Sequence, residues 1–486
     1  MKGQKLHKNI FIFGTGQFGL MTYYAFKNDP SNTFKVKGFI DLNVEEKLFE
    51  DLNVFDLKEI TSVFVEEKSI DEIVIAIQNI ETITLFDIAY KLSNLNIILK
   101  IIPPIEECIN GFITINQIKA LEIEDLLLRM PRFDLNPAVQ ESYENQIIMI
   151  TGAAGSIGSE LAKKLTKLHY KELILIDNAE SGLYNLQQDL IQNGVSNFKV
   201  VIADIRDYNR MDQLFNLYKP KIVFHAAAYK HVPLMEEQPY EAVNVNVIGT
   251  KNVATLSVKH SVGKFILIST DKAVNPSSVM GATKRIAELY LKCLQGKGQT
   301  KFIIVRFGNV LASNGSIIPL FKSQIKASVP INVTNIDIER FFMTISESCN
   351  LILESASMGI GGEDFVFEMG KPFKIYDLAI LMIRLSGLRF PEDKEIKISG
   401  LRPGEKINEE LLSSHEQAIS TYHQKIKVAQ SKQQSVEDIE LKILGLCEKA
   451  SSFHNLELVA IIKTIVPEYI SNNSKFEVLD SKKSKL

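Results

Sequence analysis

Cysteine is scarce in this chain of 486 residues: Cys108, Cys293, Cys349 and Cys447 lie far apart and form no Cys-x-x-Cys pair. That spacing excludes a zinc knuckle and a disulfide framework, and it fits reduced thiols. No apolar run approaches the roughly 20 residues needed to cross a bilayer. The N-terminal MKGQKLHKNIFIFGTG passes from a short basic tip into a strand pattern broken at Gly14. It lacks the small-residue cleavage site of a signal peptide, so the expectation is a cytoplasmic chain with no transmembrane segment. Neither sign of charge dominates. A net charge of -3 and a pI near 6.3 give no global electrostatic argument for nucleic acid or an anionic membrane. No metal site is indicated.

What is present is material for large cores. A hydrophobic fraction of 45% and a charged fraction of 23% are ordinary for globular proteins, and the length calls for two or three domains. Two segments share one pattern: an apolar β-rich run, a glycine-rich turn, then an amphipathic helix. The first is NIFIFGTGQFGLMTYYAF from Asn9; the second is QIIMITGAAGSIGSELAKKL from Gln146. Each is followed by a strand ending in aspartate, KVKGFID at Asp41 and ELILID at Asp177. Alternating strands and helices imply parallel sheets with crossover helices. The predicted fold is therefore α/β: two tandem Rossmann-like doubly wound parallel sheets, then a smaller mixed C-terminal substrate-binding region and a helical tail. The expected boundaries are 1–104 for the first unit, 105–145 for a linker, 146–420 for the catalytic unit and 421–486 for a helical extension whose last stretch, from Ser471, frays.

In TGAAGSIG, Gly152, Gly155 and Gly158 follow a strand and open a helix, with Ser156 and Ile157 between them. Glycines there let the backbone approach a pyrophosphate at the helix N-terminus. Asp177 is placed for the adenosine ribose hydroxyls, and an acid there favours NAD over NADP. Asp204, with Ile205 after it, is placed to reach the adenine, and Ala226 and Ala227 follow the next strand. The first unit has the stricter GxGxxG form, Gly14, Gly16 and Gly19 with Asp41, but nothing downstream in it supplies catalytic side chains. A second nucleotide pocket and a purely structural Rossmann unit are both open.

The GxxGxxG spacing, HAAAYKHVPLME, STDKAVNPSSVMGATKRIAE, RFGNVLASNGSIIPLF, ERFFMTISE and LRPGEKINEELL occur in order between about Gln146 and Leu412. Together they resemble the extended short-chain dehydrogenase/reductases, and more narrowly the UDP-N-acetylglucosamine 4,6-dehydratases of bacterial glycan and capsule synthesis. The first unit resembles the extra nucleotide-binding-like domain of that family's long members, which usually begin with several membrane helices. The resemblance implies NAD as cofactor, a UDP-N-acetylhexosamine substrate and a homo-oligomer formed through helices beside the active site.

Such a reaction removes hydride from C4 of the sugar, expels water across C5 and C6, and returns the hydride to C6. It needs a base at C4, a base at C5 and an acid for the C6 hydroxyl. Most relatives in the superfamily use a YxxxK pair; here the lysine is Lys284, but the tyrosine position is Met280, and a thioether takes no proton. The sequence resembles the branch in which methionine is normal there, the Thr-Asp-Lys triplet carries the proton transfers and C5 configuration is retained. By that resemblance Asp271 is the acid at C6, Lys272 the base at C5, and Thr270 holds the C4 oxygen; water or Asp271 serves at C4.

Substrate handles follow from side-chain chemistry. Arg340, Arg402 and Asn309 are candidates for the diphosphate, since guanidinium forks suit phosphate oxygens. Glu405 is placed for the uridine ribose, Pro319 and Phe321 for the uracil, and Lys230 and His231 for the sugar, while Asn246 in VNVNVIGT resembles the family's helix asparagine near the active site. Loop hydrogen bonding for His231 and helix packing for Asn246 are equal alternatives. The rival functions are a C5-inverting dehydratase, a 4-epimerase and a non-catalytic nucleotide-binding scaffold.

Overall fold

The computed structural model describes residues 7–480 apart from 45, 79, 96, 104–112, 128–135, 312, 314, 328, 431–435 and 453. Cys108, parts of the expected linker and residues 481–486 of the expected tail lie outside the described residues. The described residues fall into two compact units. One takes in Met1–Arg132, Phe321–Asn332 and Tyr376–Lys397; the other takes in Phe133–Leu320, Val333–Ile375 and Ile398–Leu486.

The first unit is a seven-stranded sheet. Its central strand Lys8–Phe13 pairs in parallel with Phe34–Asp41 on one side and Glu72–Ile75 on the other. Leu52–Asp56 and Ile98–Ile101 extend it in parallel, and short antiparallel strands, Leu48–Phe49 and Lys119–Ala120, close its edges. Continuous apolar runs such as Ile10-Phe11-Ile12-Phe13, all fully buried, are what a sheet covered on both faces requires. The expected end of this unit at residue 104 is corrected: Lys119–Ala120 hydrogen-bonds back onto Ile98–Ile101, and Ile113 and Ile118 enter its core. The expected linker contributes to both units, because its last helix, Pro137–Tyr143, buries Val139 and Tyr143 in the core of the second.

The second unit carries a nine-stranded sheet. Seven strands are parallel, in the spatial order Phe198–Ile202, Glu172–Asp177, Ile147–Thr151, Ile222–His225, Lys264–Ile268, Lys301–Arg306 and Asp364–Phe367. Antiparallel Ile426–Gln430 and Gln417–Ser420 complete it. The doubly wound reading is thus correct, including a strand order that reverses between Ile147–Thr151 and Ile222–His225, where ligand crevices open in such sheets. One detail differs: the sheet runs past residue 420, since Ile426–Gln430 pairs with Asp364–Phe367.

The C-terminal helices Val436–Lys449 and Asn455–Ile465 bury Ile443, Leu446, Leu458, Val459 and Ile462 in the same core as the long helix Val279–Leu294. The expected fraying from Ser471 is also corrected. The backbone N–H groups of Ile470 and Asn472 donate to the carbonyls of Pro276 and Ser277, that of Gly404 donates to Asn472, and Phe476 is fully buried. A polar-looking stretch is ordered by one aromatic anchor and a few backbone bonds. Among the described residues no helix is long and apolar enough to cross a membrane. Truncating Phe476 to alanine is expected to cost about 3–5 kcal/mol of stability, read by chemical denaturation; an unchanged midpoint would mean that the segment is not anchored.

Candidate active site

The crevice at the strand reversal is framed by two backbone turns. Gly152 has φ +72°, and a Cβ on it would lie 2.5 Å from the amide nitrogen of Ala227. The loops after Thr151 and His225 therefore touch through backbone, which places Ala226 and Ala227 beside the glycine turn. Helix Ser156–Leu165 opens at Gly155 with no side-chain cap and no acid in its first turn, so its positive end is left for an anion. Asp177 bends onto this turn: its Oδ2 accepts from the Ala154 amide at 2.9 Å and its Oδ1 from the Ala179 amide at 3.0 Å. Asp204 is committed to a fork with Arg206, at 2.7 Å from Nη2, and takes a further bond from Asn178 at 3.2 Å. Burial pulls its pKa up, yet the Arg206 bonds outweigh that and hold it below the usual carboxylate range. Ile205 is buried, with its Cδ1 2.5 Å from where a Cβ of Gly249 would stand.

In the first unit, Gly14, Gly16 and Gly19 likewise join a strand to helix Gln17–Lys27. There the Asp41 Oδ2 accepts from both the amide and the hydroxyl of Thr15, at 2.8 and 2.6 Å. The carboxylate is turned onto its own loop, as at Asp177.

Thr270, Asp271 and Lys272 leave the end of strand Lys264–Ile268 and are brought together. The Thr270 hydroxyl donates to Asp271 Oδ1 at 2.8 Å, and the Lys272 ammonium donates to the same oxygen at 3.0 Å and to the Asn309 amide oxygen at 3.0 Å. Asn309, expected at a diphosphate, instead orients the lysine. Glu409, which the sequence reading passed over, lies 3.5 Å from the lysine nitrogen with its side chain 4% exposed. Burial pulls the Lys272 pKa down, but the Asp271 and Glu409 carboxylates push it up by more, so the resting lysine is an ammonium. Asp271 itself is 1% exposed. Gly281 lets the long helix close on this triplet, since a Cβ there would stand 2.2 Å from the Lys272 carbonyl oxygen.

On that helix, Lys284 is buried and donates to the Ile268 carbonyl at 2.8 Å, and burial drops its pKa to about 8. Met280 is 2% exposed and belongs to the apolar core. Beneath the triplet lies a buried charge network. Ser269 donates to Glu288 at 2.6 Å, and Arg306, 1% exposed, forks onto Glu288 at 2.7 and 2.8 Å while also reaching Asp364 at 3.2 Å and Glu416 at 2.8 Å.

A cleft beside the triplet is lined by Lys272, Arg340, Arg402, Glu405, Lys406 and Glu409, together with Val232, Pro233, Ser277, Ser278 and Gly404. Arg340 is consumed in holding this loop: its guanidinium donates to the carbonyls of Glu339, Lys406 and Ile407 at 2.7, 2.7 and 2.8 Å. Glu405 accepts from the Arg402 amide at 3.0 Å, which leaves Arg402, exposed on the cleft wall, as the guanidinium suited to phosphate oxygens. Lys230 and His231 are exposed, and the His231 ring packs against Gly315. Pro319 is exposed while Phe321, two residues on along helix Ile317–Lys326, is wholly buried and presents no ring face.

Asn246 is fully buried within the π-helical turn Val243–Gly249. Its amide oxygen accepts from the Tyr229 amide at 2.8 Å, and its Nδ2 donates to the Tyr229 carbonyl at 3.0 Å and to the Thr283 hydroxyl at 3.1 Å. It positions the loop that carries Lys230 and His231, and these bonds occupy its side-chain amide. Below it, the Thr250 hydroxyl donates to the Asn246 carbonyl, so it must accept from His225 Nε2 at 2.9 Å. His225 Nδ1 then accepts from Thr151 at 2.7 Å. This chain ties strand Ile147–Thr151 to the loop that carries Lys230 and His231.

Residues 148–431 match the family described as polysaccharide biosynthesis protein. The chain belongs to that family. It is 48% identical over 319 residues to the capsular polysaccharide biosynthesis protein CapD of Staphylococcus aureus, a match covering 65% of this chain and 53% of that protein. It is 40% identical over 411 residues to the probable polysaccharide biosynthesis protein EpsC of Bacillus subtilis, covering 83% and 68%. The chain thus spans about half the length of the first relative and two thirds of the second. Among solved structures, Pen from Bacillus thuringiensis aligns with a TM-score of 0.56 and 31% identity, covering 62% of this chain and 98% of that one. Most of the family match falls on the second unit, where the Thr-Asp-Lys cluster lies, and it also takes in Phe321–Asn332 and Tyr376–Lys397 of the first.

Two outcomes follow. Met280→Ala is expected to cost about 2–5 kcal/mol in stability and Met280→Leu under about 1.5. Both should keep turnover within about threefold at temperatures where they are folded, because a buried thioether moves no proton; a hundredfold loss in the leucine variant would give Met280 a chemical role. His225, neutral in the fold, has a pKa lowered to about 3 by burial and then by Lys284. The unfolded chain takes up this proton near the ordinary value of about 6.5, so the contribution is intact above that pH. As pH falls from 6.5 toward 3, His225 should remove about 1.4 kcal/mol of stability per unit. Urea unfolding across that window should show this one-proton slope, and His225→Asn should lack it; equal slopes would refute the assignment.

Proposed function

We propose that the chain is an NAD-dependent UDP-N-acetylglucosamine 4,6-dehydratase that retains the C5 configuration and forms UDP-2-acetamido-2,6-dideoxy-hexos-4-ulose for surface glycan synthesis. The observation that carries this reading is the Thr270-Asp271-Lys272 cluster, with its aspartate buried and its threonine and lysine half-buried beside a cleft bearing Arg402, at a site where a core methionine stands in the place of the usual tyrosine base. The polysaccharide context of the family and of its Staphylococcus and Bacillus relatives agrees with it.

The glycine turn fits a dinucleotide: its close backbone approach, the uncapped helix end and Asp177 suit the pyrophosphate and a ribose, with Lys284 nearer the triplet. When bound, NAD supplies the redox chemistry, accepting hydride from C4 and giving it back at C6. The chain's own residues move protons. Asp271, within reach of Thr270, takes the C4 hydroxyl proton and later gives it to the C6 oxygen as that leaves as water. Lys272 removes the C5 proton and returns one on the same face, which is why configuration is kept. A resting ammonium cannot take that proton, so the lysine must first lose its own. Arg402 holds the diphosphate, and Lys230 and His231 approach the sugar. A 4-epimerase that relies on the superfamily's tyrosine finds none at position 280, where a methionine sits in the core.

Proton NMR of the protein with UDP-N-acetylglucosamine in deuterated water, without added reductant, should give a new C6 methyl signal with deuterium at C5 and couplings of the retained isomer. Asp271→Asn should lower the rate by about 10²–10⁴-fold. An unchanged sugar spectrum with NAD bound, repeated with other UDP-sugars, would refute the dehydratase reading.

A further inference from the structure

Glu409 is held in a way that packing alone does not explain. Its Oε1 lies 3.5 Å from the Lys272 ammonium, while its Oε2 is buried on the cleft wall with no hydrogen-bond partner. A buried carboxylate oxygen left without a donor costs free energy, and native structures rarely keep one without use. The other acceptors around Lys272 are committed. The Asn309 amide is too weak a base to take the lysine proton, and Asp271 bonds both Thr270 and Lys272 and, on the dehydratase reading, is needed by the C4 and C6 oxygens.

We propose that Glu409 is the proton acceptor that turns Lys272 from a resting ammonium into a base. This rests on the dehydratase reading for the reaction but not for the pairing itself. The lysine ammonium gives one proton to the Glu409 carboxylate, leaving a neutral amine and a neutral acid with no net change of charge. The amine lone pair then takes the C5 proton of the 4-keto sugar. The C5–H electron pair forms the C5–C6 double bond as the C6–O bond breaks, and the C6 oxygen leaves as water with the proton held by Asp271. After hydride has returned to C6, the Lys272 ammonium protonates C5. Glu409 finally hands its proton back to the amine, so that lysine, glutamate and aspartate all regain their starting states. Glu409 is thus a positioning and proton-holding residue that acts through Lys272. The charged groups facing the pair are Asp271, Arg340, Arg402, Glu405 and Lys406, from the strand end and the cleft loop.

The shared proton gives a test that a structural role would not pass. In the intact enzyme the pair holds one proton throughout the neutral range, so kcat should be flat from pH 7 to 9. In Glu409→Gln the lysine must lose its proton to solvent. Its kcat at pH 7 should fall at least tenfold, then rise by about tenfold per pH unit, with KM for the UDP-sugar within about threefold. Glu409→Asp, which retains an acceptor, should keep the flat profile at a reduced rate. Equal flat profiles in the wild type and the glutamine variant would overturn the proposal. A second readout needs no turnover: competitive acetylation of Lys272, quantified by mass spectrometry across pH. Its half-reaction point should move to lower pH in Glu409→Gln, because a carboxylate beside the ammonium has been removed, and the variant's kcat should level off at that same pH. An unmoved labelling curve would overturn the pairing whether or not the protein turns over a sugar. A moved curve in a wild type that dehydrates no UDP-sugar would uphold the pairing and refute the reaction.

Discussion

Arg306 imposes the constraint around which the catalytic unit is built. Its guanidinium is almost wholly removed from water at the end of strand Lys301–Arg306, and such a charge is tolerated only when its donors are matched by acceptors of opposite sign. Glu288 matches it in a two-point fork, and Asp364 and Glu416 take the remaining directions. These acceptors come from the long helix, the neighbouring strand and the turn before Gln417–Ser420. One side chain therefore fixes the register of three elements. Glu288 also accepts from Ser269, the residue before Thr270, and sits one helical turn after Lys284. The position of the strand end that carries the triplet and of the buried lysine is consequently set by the same ion cluster, with no polar atom of the triplet spent on it.

That arrangement explains which parts of the site were legible in the sequence. Strands, the glycine turn and the Thr-Asp-Lys triplet are local features: their chemistry is written in consecutive residues, and the parallel topology follows from their alternation. Direction is not local. Arg340 and Asn309 carry the functional groups that a phosphate would accept, yet the first is spent on three backbone carbonyls and the second on Lys272. Phe321 and Asn246 are on helices whose inward faces could not be told from spacing alone, and both are buried. Glu409 was hidden for the opposite reason. It stands four residues after Glu405 in a stretch of alternating charges that reads as solvated, and only the tertiary approach of Lys272 gives it meaning.

The C-terminal segment shows the same limit on a larger scale. SNNSKFEVLD has the composition of a frayed end, but Phe476 and a handful of bonds turn it into a strap. Asn472 accepts from the Gly404 amide and donates its side-chain amide to the Glu405 carbonyl at 2.6 Å, while its own N–H reaches Ser277. Ser474 donates to Glu236, whose other oxygen accepts from the Val279 amide at the start of the long helix. The strap thus joins the two walls of the cleft, the loop bearing Arg402 and the turn that begins the helix of Lys284. Composition could not show this, because the segment's order comes from partners located far earlier in the chain.

The loss of tyrosine at position 280 has a consequence for where proton chemistry can sit. A phenol one helical turn before Lys284 would draw on that lysine's charge to become a base. With a thioether there, buried in hydrocarbon, Lys284 has no acid to activate, and burial alone pulls its pKa to about 8 while its proton goes to a backbone carbonyl. On the dehydratase reading, proton transfer then comes from the adjacent strand end, where two carboxylates and an amide crowd one ammonium. Such crowding favours the ammonium, so this lysine can act as a base only if a neighbouring carboxylate first takes its proton. On that reading a methionine at position 280 leaves the acid–base task to the strand end, and the second carboxylate gives the lysine proton a place to go.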